Sequence, residues 1–457
     1  MTTALVWFRR DLSLVDNVAF LQATAFDEVA CVWVHEPTLV NGAGPFRRAN
    51  LAAALRSLDA ELALRGGQIT VLTGPAQDAI ARFAVEIGAS RVFWNADVSR
   101  YAQSRDASVE QSLARRGIPA STSWGTLVQP PGSVVTAAGN VPRIFTVFYN
   151  RWSVLPLPPA PREGGATVRN IAGDLTLAEV ANDGADVDGT GGSQRLQRFL
   201  AVVADYDETR NRVDVDGTSH LSRDLHLGTV SARHAVNAVG AATPGARAFL
   251  RQLAWRDWFA HLFYERPELA RRAQQSAYDA IAWRNDPVEI DAWRRGQTGY
   301  PIVDAAMREL AATGWLHGRL RMVAASFLVK DLLVDWRIGE RHFRRLLIDG
   351  DVSANAGNWQ WTAGTGPDAA PYFRVMNPSI QGRRIDPNGQ YVRRWVPELA
   401  ELRGGRIHTP NECDAQELAD AGVILGESYP APLVNHATAR ARALLAYSTA
   451  RHGPPPG

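Results

Sequence analysis

One segment in the second half of the chain is rich in side chains that could transfer electrons or contact a planar cofactor. Residues 314–373 contain the following aromatic, basic, acidic and amide residues: Trp315, Trp336, Trp359, Trp361, Arg319, Arg321, Asp349, Asp351, Asn355 and Asn358. Indole is oxidised more readily than other side chains except tyrosine, and aromatic rings also stack on nucleic acid bases. Carboxylates beside arginines could bind a polar, planar cofactor. Core packing explains any one of these tryptophans, but it explains the whole group less well.

Motifs for conventional catalysis are scarce in this sequence. It contains no G-x-S-x-G, H-E-x-x-H or P-loop pattern. Cys31 and Cys413 are the only cysteines, which excludes a disulfide framework and a cysteine-built metal site. Asp349 and Asp351 could pair on a metal ion, but a carboxylate-flanked turn between helices fits them equally well. We therefore expect no metal site.

The composition of the chain is that of a soluble globular protein. The 457 residues are 46% hydrophobic and 21% charged, which suits two or three domains with large cores. No apolar run reaches the roughly 18 residues of a membrane-spanning helix. The basic pair Arg9 and Arg10 follows the first apolar stretch, the reverse of a secretory signal, so a cytoplasmic location is expected.

Basic residues are balanced by acidic ones over the whole chain. The formal net charge is +2, so any contact with nucleic acid must come from a local patch. Lys330 is the single lysine among 49 basic residues, and the rest are arginine. This bias is typical of a GC-rich genome, but arginine also suits bidentate phosphate contacts.

Strands and helices alternate regularly through the first 125 residues. The apolar runs predict strands at Ala4–Phe8, Val29–His35, Ile69–Leu72, Val92–Trp94 and Ala120–Trp124. Helical periodicity with Pro and Gly boundaries predicts helices at Asn17–Ala25, Arg47–Arg65, Pro75–Ile87 and Ala102–Arg116. This pattern predicts an α/β domain over residues 1–128, built on a doubly wound, five-stranded parallel sheet. No G-x-G-x-x-G follows the first strand, which disfavours an ordinary dinucleotide site there.

A connector and a helical domain are predicted to follow. Leu155–Pro161 is rich in proline and Asp183–Gly192 in glycine and aspartate, so we expect a long exposed linker over residues 129–192. From residue 193 to 457 helical periodicity dominates, and an all-helical domain is expected. The helical stretches are Arg195–Asp205, Ala248–Tyr264, Ile302–Thr313, Leu320–Asp335, Glu340–Ile348 and Ala437–Ala450.

Several ordered motifs resemble one known family over essentially the whole chain. They are Val6–Leu12, Gly217–Ser222, Leu253–Asp257, Thr298–Met307, Ala325–Asp331, Gly364–Arg374 and Tyr429–Val434, with the strongest block at residues 314–377. The sequence resembles the photolyase/cryptochrome family, and within it the bacterial class I cyclobutane pyrimidine dimer photolyases. The resemblance implies an α/β antenna domain, a long linker and a helical domain that binds FAD, with UV-damaged DNA as the partner of a monomeric protein.

The resemblance also implies a set of FAD-binding residues. They are Tyr206, Thr218, Ser219, His220, Leu221, Ser222, Gln252, Trp255, Arg256, Asp349, Asp351 and Asn355. Hydroxyl and backbone N–H groups near a helix start suit the FAD phosphates. Asn355 matches the position that faces flavin N5, and an asparagine there is typical of photolyases, whose working cofactor is fully reduced FAD.

Two further groups follow from the same resemblance. Trp359, Trp336 and Trp283 match the family's electron-transfer chain from flavin to surface, which photoreduces oxidised FAD. The residues implied in lesion and DNA binding are Arg210, Gln252, Trp255, Gly318, Arg319, Met322, Trp361 and Arg374. Trp255 and Trp361 would stack on a dimer flipped out of the duplex.

The chain departs from the family pattern at two positions that face the lesion. Gln252 stands where dimer photolyases usually have a glutamate, and Gly318 stands where the family has an asparagine. These changes leave efficiency and lesion preference open. At the antenna site, Asp97 and Tyr101 stand in a string that resembles deazaflavin-binding relatives, so deazaflavin is favoured over methenyltetrahydrofolate. A flavin mononucleotide antenna, no antenna, and a plain helix-terminal charge at Asp97 stay open.

Light-dependent splitting of cyclobutane pyrimidine dimers by excited, reduced FAD is the activity that the resemblance favours. The enzyme would be a deoxyribodipyrimidine photo-lyase, a carbon–carbon lyase. The alternatives are a cryptochrome-type blue-light photoreceptor, a 6-4 photoproduct photolyase, and a flavoprotein that binds DNA without turnover. The chain ends at residue 457, shortly after the last family helix and without the long tail of many cryptochromes, which favours repair.

Overall fold

The computed structural model describes residues 1–180 and 189–452. They divide into two compact units. The first unit comprises Met1–Asp207, Ser219–Pro267 and Ile348–Ser353, and the second comprises Glu208–Thr218, Glu268–Leu347 and the residues from Ala354 onward. This division follows contacts in space, and the domain boundaries expected at residues 128 and 192 stay a prediction.

A parallel β-sheet forms the centre of the first unit. Its strands are β1 (Thr3–Phe8), β2 (Glu28–His35), β3 (Ile69–Thr73), β4 (Ala89–Asn95), β5 (Ala120–Ser123) and the two-residue β6 (Thr167–Val168). The strand order is β3-β2-β1-β4-β5, with every pair parallel and β6 beside β2. The prediction of a doubly wound, five-stranded parallel sheet is confirmed. The order reverses between β1 and β4, where Val6 lies opposite Phe93.

Helices cover both faces of this sheet because its strands are apolar on both sides. The helices of this part of the chain are α1 (Val18–Ala23), α2 (Pro37–Gly42), α3 (Pro45–Ala63), α4 (Ala76–Glu86), α5 (Arg100–Ala114), α6 (Phe145–Trp152), α7 (Leu177–Val180), α8 (Gly192–Leu200), α9 (Tyr206–Thr209), α10 (Ser222–Leu227), α11 (Ala232–Val239) and α12 (Pro244–Glu265). Val6 and Phe8 pack with Leu55 and Leu58 of α3 on one face. Trp7 packs on the other face, in the cluster that contains residues of α4 and α5.

The predicted linker contains more structure than its composition indicates. Residues 155–161 form no helix or strand, as expected, and residues 183–188 lie outside the described residues. However, α6 and α7 lie within the predicted linker, and β6 pairs with β2 through Val168, which is only 2% exposed. The expectation of an exposed connector is therefore wrong at β6, since this stretch adds a strand to the sheet.

The second unit is helical. Its helices are α13 (Pro287–Arg295), α14 (Pro301–Thr313), α15 (Gly318–Ser326), α16 (Trp336–Leu346), α17 (Val352–Ala363, whose first two residues belong to the first unit), α18 (Pro378–Ile385), α19 (Gln390–Trp395), α20 (Ala415–Asp420) and α21 (His436–His452). The helix expected over Leu320–Asp335 is interrupted, because a π-helical turn, Phe327–Asp331, follows α15. Short 3₁₀ segments lie at Val203–Asp205, Pro267–Ala270, Ser276–Ala280, Pro397–Leu399, Gly404–His408 and Pro410–Glu412. None of the described helices is both long and apolar enough to cross a bilayer.

Candidate active site

A polar cavity lies where the strand order of the sheet reverses. Arg9, Arg10 and Asp11 follow the carboxyl end of β1, and residues 95–98 follow that of β4. Both segments line the cavity together with His226, Arg256 and Asp351. Ligands of open α/β sheets bind at such a reversal, outside the carboxyl ends of the strands. The structure thus brings together Asp97, expected at the antenna, with Arg256 and Asp351, expected at FAD.

Arg10 is the central charge of this cavity. Its guanidinium donates to Asp351 at 2.5 Å and to Asp97 at 3.3 Å. It also donates to the His226 carbonyl at 3.1 Å and contacts His226 Nδ1 at 3.2 Å. Burial, the largest single influence, raises the pKa of Asp97, but the Arg10 charge, the Ser99 backbone N–H and the Arg9 charge together bring this pKa below its usual value. Burial, followed by the Arg10 charge, lowers the pKa of His226 to about 3, so this imidazole is neutral near pH 7.

Residues implied in flavin and lesion contacts lie on one face of α12. Arg256 donates to the carbonyls of Thr126 at 2.7 Å and Leu225 at 2.9 Å. The Gln252 amide donates to Ala248 O, one turn earlier, at 3.3 Å. The Trp255 indole stacks on Phe145 of α6 with 3.7 Å between ring centroids and 13° between planes. Phe145 therefore covers one face of the indole, and a base could stack only on the other.

The segment expected at the FAD phosphates enters α10. His220 has a φ of +50°, and Leu221, fully buried, stands at the N-cap. A leucine side chain has no acceptor for the first N–H groups of the helix, so these groups suit an anionic ligand. Tyr206 is buried, and its ring lies 5.5 Å from the Phe199 ring. Of this set, Ser219, His220, Leu221 and Ser222 belong to the first unit and Thr218 to the second.

Helix α17 positions three of the predicted residues of the second unit. The Asn355 amide nitrogen donates to both the carbonyl and the carboxylate of Glu340, each at 3.0 Å. Burial raises the pKa of Glu340. The Trp359 ring packs 5.0 Å from Phe343, against Gly339, where a Cβ would lie 2.1 Å from the indole. Glycine at position 339 is thus a condition for the observed Trp359 position.

The three tryptophans of the predicted electron chain differ in exposure. Trp359 and Trp336 are 3% and 1% exposed, whereas Trp283 is only partly buried. The Arg337 guanidinium lies 4.9 Å from the centre of the Trp336 ring, and the Tyr447 ring lies 6.0 Å from that of Trp283. Buried indoles together with one that reaches solvent are what an electron path to the surface requires.

Arginines of the second unit form a local positive patch. Arg319 donates to Asn211 at 2.6 Å, and its guanidinium lies 3.7 Å from the Met322 sulfur. Burial lowers the pKa of Arg319, and the charges of Arg210 and Arg384 lower it further. The three positive charges are close enough to repel one another, and such a cluster suits a polyanionic partner. Arg374 is exposed, and Trp361 is partly buried.

The two positions that depart from the family pattern differ in their surroundings. Gly318, the first residue of α15, is exposed, and a Cβ added there would meet no heavy atom within 4 Å. A Cβ can therefore be added at this position without a steric clash. Gln252 is partly buried and lies one turn before Trp255 and Arg256 on α12.

Sequence reasoning missed three residues of these groups. Arg10 stands in the first motif of the resemblance, which by itself implies no role for this residue. Arg384 stands next to Arg383 near the end of α18, and this basic pair was the only available indication. Phe145 offered no indication, because an apolar residue in a helix is ordinary core.

Comparison with known proteins identifies the family. A model described as "DNA photolyase" matches residues 4–163, and one described as "FAD binding domain of DNA photolyase" matches residues 249–449. The chain is 38% identical to a deoxyribodipyrimidine photo-lyase of Salmonella typhimurium, over 99% of this chain and all of that one. A bacterial class III photolyase from Agrobacterium tumefaciens superposes with a TM-score of 0.91 at 34% identity, covering 99% and 98% of the two chains. A cryptochrome from Synechocystis superposes with a TM-score of 0.88 at 31% identity, covering 97% of this chain and 99% of that one. With an FAD-binding domain of this type and full-length likeness to its enzymes, the chain belongs to the photolyase/cryptochrome family.

Proposed function

We propose that the protein is a light-dependent DNA-repair enzyme, a deoxyribodipyrimidine photo-lyase that acts on cyclobutane pyrimidine dimers. The observation that carries the proposal is the orientation of Asn355. Its amide nitrogen is occupied by Glu340, which leaves the carbonyl oxygen as the group that can face a cofactor. An acceptor suits the N5–H of a reduced flavin. When bound in its fully reduced form, FAD supplies an electron to the dimer on excitation by blue or near-UV light and takes it back after the ring has split.

The chain's own residues bind and orient this cofactor. Hydroxyl and backbone N–H groups of Thr218, Ser219, His220, Leu221 and Ser222 bind its phosphates and ribose, beside Tyr206. Asp349, Asp351, Arg256, Trp255 and Gln252 border the flavin and ribityl region. The donor set fits the group, because the first turn of α10 offers N–H groups to an anion and Arg256 adds a partly buried positive charge.

A second set of residues binds the flipped lesion. Trp255 and Trp361 stack on the pyrimidine rings, and the Gln252 amide donates to a pyrimidine carbonyl. Met322 and Gly318 lie beside the lesion. Arg210, Arg319 and Arg374 contact the DNA phosphates on either side, where they position the strand without specifying its sequence.

Replacement of Phe145 by alanine should weaken dimer binding without slowing the chemical step. Loss of the stacked ring frees the Trp255 indole to rotate, and an aromatic pair contributes about 1 kcal/mol, so the Kd for a dimer-containing oligonucleotide should rise about five- to tenfold. The measurement is a titration in the dark, followed by repair at saturating DNA. Phe145→Tyr keeps the stacked ring and should bind as the wild type does. Equal Kd values for Phe145→Ala and wild type would contradict this role.

Gly318→Asn should strengthen dimer binding. Gly318 is exposed and has room for a Cβ, and one added hydrogen bond from the asparagine amide to the lesion contributes about 1 kcal/mol, or about fivefold in Kd. Gly318→Ala adds a Cβ without the amide and is the matched control. Tighter binding by the alanine variant as well would attribute the gain to helix stability rather than to an amide contact.

Asp97 and Tyr101 are the proposed contacts of an antenna chromophore. Asp97 lines the polar cavity beside Arg10, in which Arg256 and Asp351 are assigned to FAD, whereas Tyr101 is half exposed and donates to Glu36. The ring edge of a deazaflavin would find an acceptor at Asp97, and we favour it over methenyltetrahydrofolate. Absorption spectra of the protein purified from a deazaflavin-producing host, with Asp97→Ala as comparison, test this assignment.

We place the enzyme in the cytoplasm, as a monomer that binds UV-damaged DNA. Two free cysteines, Cys31 and Cys413, are what a reducing compartment allows. Light scattering of the protein with and without a dimer-containing oligonucleotide tests the monomer.

The deciding experiment is a repair assay with reduced protein and UV-irradiated oligothymidine. Under blue or near-UV light, absorbance near 260 nm should recover as dimers split. A flavin-loaded, reduced protein that restores 6-4 photoproducts instead would move the substrate to that lesion. Restoration of neither lesion would leave the photoreceptor as the better function.

A further inference from the structure

The one lysine of the chain is buried in the second unit. Lys330 is 1% exposed and lies in the π-helical turn that follows α15. Burying an ammonium group costs free energy unless it is fully paired. Burial lowers the pKa of Lys330 to about 7, which reflects this cost. The single lysine of the chain is thus more deeply buried than any arginine that the structure describes.

The Lys330 ammonium has three neighbours that suit a small cation. Nζ donates to the carbonyl of Ala363 at 2.8 Å and to that of Tyr372 at 3.2 Å. It also lies 3.6 Å from the centre of the Tyr447 ring, whose hydroxyl donates to the same Ala363 carbonyl at 2.7 Å. Ala363 ends α17, so its carbonyl lies at the negative end of the helix dipole. A guanidinium is planar and bulkier than an ammonium, so it would not present its donors to these acceptors in the same way.

The two carbonyls stand next to residues of the proposed lesion site. Ala363 comes two residues after Trp361, and Tyr372 comes two residues before Arg374. Between them the chain forms a loop, which is further fixed by a bond from Ala370 N to Trp361 O at 3.1 Å. Lys330 thus joins the two ends of the loop that separates Trp361 from Arg374.

We propose that Lys330 is a positioning residue for lesion binding, which sets the spacing between the Trp361 indole and the Arg374 guanidinium through the backbone on either side of loop 364–371. It contacts no substrate itself. The inference rests on the proposed function, because it assigns Trp361 to the lesion and Arg374 to a phosphate.

The test replaces Lys330 with methionine, which has a similar length and no donors. We expect the Kd for a dimer-containing oligonucleotide to rise about tenfold, because the variant loses both charged hydrogen bonds that join the loop ends and part of this loss reaches the bound DNA. The repair rate at saturating DNA and the photoreduction of FAD should stay at wild-type values. Tyr447→Phe is the matched control, because it removes one bond to Ala363 O and leaves the Lys330 bridge, so its Kd should remain close to that of the wild type.

A double-mutant cycle then separates positioning from a general loss of structure. If Lys330 acts through Arg374, Lys330→Met should weaken binding much less in an Arg374→Ala background than in the wild type. Full additivity, or a wild-type Kd for Lys330→Met, would overturn the proposal. If the methionine variant does not fold, Lys330→Gln is measured instead. Its amide keeps N–H donors, so the proposal predicts a rise in Kd that is smaller than the roughly tenfold rise expected for methionine. A wild-type protein that binds no dimer would refute the proposed function, whereas dimer binding unaffected by Lys330 would refute this inference alone.

Discussion

Replacing Arg10 with alanine is expected to destabilise the first unit by about 2–4 kcal/mol, because two largely buried carboxylates lose their shared partner. Asp97 and Asp351 each accept from this guanidinium, and their side chains are only 18% and 19% exposed. Without Arg10 the two negative charges remain in the same cavity and repel each other. The measurement is urea unfolding followed by tryptophan fluorescence, with FAD content recorded alongside.

Lowering the pH should reduce the difference in unfolding free energy between Arg10→Ala and the wild type. The pKa of Asp97 is lower in the folded wild type than in the unfolded chain. Its contribution to stability is therefore present above its unfolded pKa of about 4 and is lost as the pH falls through the folded value. In Arg10→Ala the buried cavity favours the protonated form of Asp97. Below about pH 4 the stability of the variant should therefore approach that of the wild type.

An exposed ion pair of similar length provides the comparison. Arg82 contacts Asp174 at 2.8 Å, but the Arg82 side chain is 51% exposed. Arg82→Ala should cost less than about 1 kcal/mol. Arg10→Lys keeps the positive charge, so its loss of unfolding free energy should lie between those of Arg10→Ala and Arg82→Ala. A midpoint for Arg10→Ala equal to that of the wild type would mean that solvent satisfies both carboxylates and that Arg10 does not stabilise the cavity.

Local pattern explains why the sheet could be predicted and why its sixth strand could not. β1 and β2 are continuous apolar runs bounded by turn residues, which is typical of strands buried on both faces. Thr167–Val168 is two residues long, too short for any periodicity. Its pairing with β2 depends on the rest of the sheet being in place. The same holds for the π-helical turn at Phe327–Asp331, whose residues continue a helical pattern.

Residues of the candidate site divide along the same line. Trp359 and Asn355 could be named in advance because they match functional positions of the family that the sequence resembles. The partners of Arg10 lie 87 and 341 positions away along the chain, so only the folded sheet brings them together. The proposed role of Phe145 depends on its ring stacking against Trp255, which lies on α12. Contacts between distant segments are what local sequence patterns do not encode.

Trp359→Phe is expected to abolish photoreduction of oxidised FAD while repair by chemically reduced enzyme persists. Phenylalanine is far harder to oxidise than tryptophan, so the proposed path loses the tryptophan that donates an electron directly to the flavin. A fall of about two orders of magnitude in the photoreduction rate requires only about 2.7 kcal/mol in activation free energy. The smaller ring leaves a cavity beside Gly339 and Phe343, which should cost about 1–2 kcal/mol of stability without affecting FAD binding.

Trp293 offers a matched control for this variant. It is fully buried, and its ring lies 6.3 Å from that of Trp359, but it is not part of the proposed path through Trp336 to Trp283. Trp293→Phe makes the same chemical change at the same depth and should photoreduce FAD at the wild-type rate. The measurement is the loss of oxidised-flavin absorbance under blue light with a thiol reductant. Normal photoreduction in Trp359→Phe would remove Trp359 from the path, and slow photoreduction in Trp293→Phe would redirect the path through Trp293. Both variants keep the residues proposed to bind the lesion, so repair after chemical reduction separates the supply of electrons from the use of them.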